Sequence, residues 1–139
     1  MRSLAVMGGL VLAVVLVVMG PAGLAWDQGT SHGVYGANTY RTYCRVCHGA
    51  KAQGDGPLAE SLRFRPPDLT GLARRNDGEY PVEQVAKIID GRDPVDGFGG
   101  PDMPVWGDAF KNSESGFDDE EVEKRIRSVV DHLARLQRE

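Results

Sequence analysis

The sequence predicts an all-α domain of four or five short helices, and three observations predict it. Apolar residues recur at three- and four-residue spacing in the segments able to pack. No segment shows the apolar–polar alternation of a half-buried strand. Glycine and proline gather mostly between the periodic segments, cutting the chain into short pieces.

The elements follow in order. After a polar lead-in (residues 27–33), residues 34–46 read as a helix bearing Gly36, Tyr40 and Tyr43. Glycine is unfavourable inside a helix, so Gly36 predicts close approach by another backbone. Gly54-Asp55-Gly56-Pro57 is a turn, followed by a short helical stretch over residues 58–62. Pro66-Pro67-Asp68-Leu69 is extended or turned, because neither proline serves a helix interior. Pro81 stands at a first helical position, and Val82, Val85, Ile88 and Ile89 form one apolar stripe ending at Gly91. Residues 92–108, rich in glycine and proline, read as loop. The last helix has the fullest signature. Asp118 is its N-cap, Glu121 completes a capping box, and Phe117 and Val122 stand at staple spacing. Val122, Ile126, Val129, Val130, Leu133 and Leu136 then share one face.

Residues 44–48 read Cys-Arg-Val-Cys-His, the attachment pattern of a c-type haem. The spacing has a chemical reason. Two cysteine sulfurs add to the vinyl groups of the porphyrin, and an imidazole must then reach its iron. On a helical turn, positions i and i+3 share a face and i+4 lies close by. Cys44 and Cys47 can therefore hold the ring while His48 supplies the proximal nitrogen. Competing readings lack partners. These are the only cysteines, no βαβ pattern supports a thioredoxin-type pair, and His32 and His132 are the only other histidines available to complete a zinc site. The expected fold is thus all-α, built around one covalently bound haem c.

The second iron ligand is expected from Met103, the only methionine after the first 25 residues. Pro104 follows it and biases it towards extended geometry, which lets a loop present the thioether to iron. Met/His ligation raises the reduction potential of a haem. His32, in the polar lead-in, is expected to be solvent-exposed. His132, between Val130 and Leu133, is expected to be a packed or surface residue.

Residues 1–25 are of a different material. Arg2 precedes an apolar run over residues 4–19, then Gly20-Pro21 and small residues as far as Ala25. That pattern is a secretory signal peptide, or an uncleaved membrane anchor if the leader is retained. Residues 26–139 then form one exported domain. Residues 26–75 carry seven basic and four acidic side chains, and residues 76–139 carry eight basic and sixteen acidic. The acidic balance excludes a generic nucleic-acid binder. Leu, Ile, Val and Phe supply only 22 of the 114 residues after the leader, a marginal core that a bound macrocycle would complete.

Cys44-x-x-Cys47-His48-Gly49, Gly54-Asp55-Gly56-Pro57, Pro67-Asp68-Leu69 and Met103-Pro104-x-Trp106 together resemble a class I c-type cytochrome over about residues 33–136. The chain is similar to small bacterial monohaem cytochromes and to the cytochrome subunits of haem–copper oxidases. The resemblance implies a cytochrome c-like fold in which the first and last helices cross beside the haem, with one haem edge exposed. Gly36 and Tyr40 match the close-packing glycine and aromatic of the first helix. His132 departs from the pattern, standing where an aromatic often follows the Val-Val pair. The resemblance also implies a proline carbonyl that orients the proximal imidazole, with Pro57 the candidate.

These features point to a one-electron carrier rather than an enzyme, since two axial protein ligands leave iron no open position. Its partners are expected to be extracytoplasmic redox proteins of a respiratory or photosynthetic chain, including membrane complexes. The alternative is a haem c subunit anchored in an oxidase or dehydrogenase complex through its N-terminal segment.

Overall fold

The first and last helices cross at Gly36, and this contact organises the domain. In the computed structural model, which describes residues 28–93 and 102–138, a Cβ on Gly36 would overlap the Ser128 carbonyl and lie 2.6 Å from its carbon. The expected close approach is therefore real, and its partner is the backbone of the last helix. Replacing Gly36 by valine is expected to cost about 3 kcal/mol, because neither backbone can give way. A urea midpoint equal to that of the wild type would refute it.

The domain is all-α, with no strand among the described residues. Helix α1 spans Gln28–Thr39 and runs through a π-helical segment, Tyr40–Cys44, into α2, Arg45–His48. It begins earlier than the sequence suggests, taking in the polar lead-in. Single turns of 3₁₀ helix follow at Ala59–Ser61, Leu69–Gly71 and Arg74–Asn76. Helix α3 is Val82–Asp90, α4 is Trp106–Lys111 and α5 is Asp119–Ala134.

Two expectations need correction here. Residues 92–108 are not all loop, since Trp106 opens α4. Trp106 and Phe110, one turn apart, both pack edge-on against Tyr43 at 5.7 and 5.4 Å, so tertiary packing sustains a helix too short to announce itself. Val82 leaves the α3 stripe, being 41% exposed, and Ala86 joins Val85 and Ile89 in the core instead. The leader expected in residues 1–25 lies outside the described residues, as does the His32 side chain.

Helix α5 is the central beam. Its capping box forms as expected, with the Glu121 amide donating to Asp118 Oδ1 at 2.8 Å and the Asp118 amide to Glu121 Oε2 at 3.4 Å. Val122, Ile126, Val129, Val130 and Leu133 are buried against α1, α3 and α4. His132 takes the aromatic place at the crossing, its ring 5.3 Å from that of buried Tyr40. The Tyr40 hydroxyl in turn donates to the Gly49 carbonyl at 2.8 Å, tying the crossing to the end of α2. At the other end of α5, the Gln137 side chain donates to Leu69 O and accepts from the Ala73 amide, while the Arg138 amide donates to Thr70 O.

Candidate functional site

A helix end leaves carbonyls without partners, and at α2 a loop supplies them. The amides of Gly54, Gly56 and Leu58 donate to the carbonyls of His48, Cys47 and Val46 at 2.9, 3.1 and 3.0 Å. This wrap needs glycine twice. Gly54 has φ +74°, and a Cβ there would collide with the Pro66 carbonyl. A Cβ on Gly56 would lie 2.6 Å from the carbonyl carbon of Cys47. The Gly-Asp-Gly-Pro turn therefore fixes α2 from below and draws the Pro66-Pro67 segment against it.

The cleft beside α2 has about 220 Å³ of free space and is partly open. Cys44, Cys47 and His48 line it from the first helical run, Leu69 and Leu72 from the middle loop, and Val85, Ile88 and Ile89 from α3. Val129 and Leu133 of α5 line it as well, Met103 and Pro104 enter from the segment before α4, and Trp106 from the start of α4. All four residues expected to hold the cofactor thus line one cleft, while His132 is turned to Tyr40 at the crossing. The lining is overwhelmingly apolar; Arg65 and Asp102 are the charged residues that reach it.

The electrostatics agree with this lining. Burial pushes the His48 imidazole below its ordinary pKa, opposed by the Pro67 carbonyl. Its Nδ1 is buried and completes no hydrogen bond among the described residues. Metal-binding histidines usually offer their other ring N–H to a carbonyl, so a neutral, buried imidazole beside a backbone oxygen fits an iron ligand. The carbonyl belongs to Pro67, not to the expected Pro57, which is exposed on the turn. Gly54 is the cause, because it lets the second proline segment approach. Burial, and after it the neighbouring Cys47, push the Cys44 thiol up to about 12. A redox-active pair needs a lowered thiol, so that competing reading loses ground. Among the described residues no three histidine, cysteine or carboxylate side chains gather to hold an ion. A flat, largely apolar macrocycle linked through two sulfurs suits a cleft of this chemistry.

Sequence reasoning missed the aromatic wall. Tyr43, Trp106 and Phe110 meet with centroids 5.3–5.7 Å apart, and Tyr43 and Trp106 face the cleft. The available signal was the one-turn spacing of Trp106 and Phe110.

The family model described as cytochrome c matches residues 34–128 of the chain. Neither the curated proteins nor the solved structures include a match.

Proposed function

The chain belongs to the cytochrome c family, and from that premise we propose that it carries single electrons through one haem c bound in the class I manner. Cys44 and Cys47 form its two thioether links, His48 is the proximal ligand and Met103 supplies the second axial position. The observation that supports this reading is the presence of all four side chains on one apolar cleft of a small domain. Bound there, the haem supplies an iron that alternates between ferrous and ferric states. The chain's own residues do the rest. Burial keeps His48 in the neutral form that ligates. The apolar lining excludes water, and two protein ligands deny iron a substrate, so the domain carries electrons rather than catalysing a reaction of its own.

One measurement tests the assignment: alkaline pyridine treatment together with oxidised and reduced visible spectra. A haemochrome of the two-thioether type and a ferric band at the red end, from sulfur on iron, are expected. No haemochrome refutes the haem, and rapid, full carbon monoxide binding at neutral pH refutes Met103 and revives a peroxidase or gas sensor.

Residues 1–25 act in this reading as an export signal, giving an extracytoplasmic carrier for redox partner proteins. Among the described residues no helix is long and apolar enough to cross a membrane. Mass spectrometry of the mature N-terminus separates a freely moving carrier, starting near Trp26, from a subunit anchored in a membrane complex.

The mouth of the cleft is basic and partly apolar. Phe64 is 57% exposed on the cleft rim, with Arg63 5.5 Å over its ring and Arg65 beside it. Arg41 and Arg45 are exposed on the helix that bears the cysteines. Such a surface favours brief encounters with an acidic partner. Oxidation by an anionic hexacyanoferrate reporter is expected to slow several-fold as salt rises from about 10 to 150 mM, where the screening length falls from about 30 to 8 Å. A constant rate would leave steering without support, and a rising one would show that the acidic residues of 76–139 govern approach instead.

A further inference from the structure

Behind the aromatic wall, three rings flank one half-buried cation. The Arg125 guanidinium carbon lies 4.2 Å from the ring centre of Phe117, 5.1 Å from Phe110 and 5.4 Å from Tyr35. Its Nε is buried and has no hydrogen-bond partner among the described residues. The other cations of α5 behave differently, Lys124 pairing with Glu120 and Arg127 with Glu83 on the exposed surface. Glu121 stands four residues before Arg125, at ion-pair spacing. Its carboxylate is turned to the helix N-cap instead, where it accepts from the Asp118 amide. Among the described residues the Arg125 guanidinium therefore has no carboxylate partner and rests against ring faces.

The position of that charge gives it a role. Phe110 contacts Arg125 and also stacks on Trp106 and meets Tyr43 edge-on. Trp106 and Tyr43 line the cleft. One buried ring, Phe110, thus stands between the cation and the cleft wall. We propose that Arg125 sets the reduction potential of the bound iron, its fixed positive charge favouring the ferrous state. The inference rests on the haem reading given above. A ferric site carries one more positive charge than a ferrous one, so a nearby cation disfavours it. Through buried aromatic material this repulsion is weakened less than through water, and salt screens it poorly.

The test is spectroelectrochemistry of the haem-loaded protein and four variants: Arg125→Gln, Arg125→Met, Arg125→Lys and, as an exposed control, Arg127→Gln. At the wild-type midpoint, where ferrous and ferric forms are equal, both neutral Arg125 variants are expected to be about three- to tenfold more ferric. Tenfold corresponds to 59 mV for one electron. Arg125→Lys and Arg127→Gln are expected to stay within about twofold, and the shift is expected to persist in about 0.5 M salt. An unmoved midpoint in the neutral variants, a drop in Arg125→Lys as large as theirs, or loss of the red sulfur band in them overturns the proposal, the last two by assigning Arg125 to packing. A wild-type protein that gives no haemochrome refutes the haem reading itself. A normal haemochrome and red band with an unmoved midpoint refute only the role of Arg125.

Discussion

Replacing Cys44 and Cys47 together by alanine is expected to yield a chain that neither retains haem nor holds a fixed fold. Val85, Ile89, Val129 and Leu133 belong both to the core and to the cleft wall. Emptying the cleft therefore opens one side of the core to water. A domain of this size has only about 5–15 kcal/mol of net stability, and only 22 of the 114 residues from 26 to 139 are Leu, Ile, Val or Phe. Losing apolar contact at about 25 cal/mol per Å² across a whole macrocycle face removes a large part of that margin. Near-ultraviolet dichroism is the measurement. Native-like bands from the haem-free product would show that the polypeptide folds unaided.

Met103→Ala is expected to leave the covalent haem in place while removing its second axial ligand. The red ferric band vanishes, carbon monoxide binds the ferrous form quickly, and the midpoint potential falls by a sizeable part of the roughly 0.8 V that axial ligands span. The small side chain at position 103 also leaves Pro104 and Trp106 to close the cleft alone. A retained red band would rule out Met103 as the ligand.

Much of this was legible in the chain because each signal was local. The capping box of α5 needs only Asp118 and Glu121 three residues apart, and it forms. The Cys44–His48 spacing is a property of one helical turn. Gly36 could be read as a contact point, since a glycine that weakens a helix implies a compensating neighbour. What was not legible depends on distant residues. Trp106 starts a helix whose ring pair with Phe110 is local, but the Tyr43 ring that packs on both lies in no single window. Pro67 replaces Pro57 beside His48 because Gly54 admits a segment thirteen residues further on. The Arg125 enclosure joins α1, α4, α5 and the segment before it, and nothing in the local pattern around Arg125 distinguishes it from Arg127.

The π-helical segment Tyr40–Cys44 has a final consequence. A widened turn stores one extra residue, and an α-helix advances about 100° per residue. The stretch between Tyr40 and Cys44 thus acts as an angular spacer that aims the thiols independently of the α1–α5 junction. Wound as a regular α-helix, the same residues would turn the sulfur pair by about 100° relative to α1, away from the cavity. The cleft that the thiols must face fixes the phase of this helix.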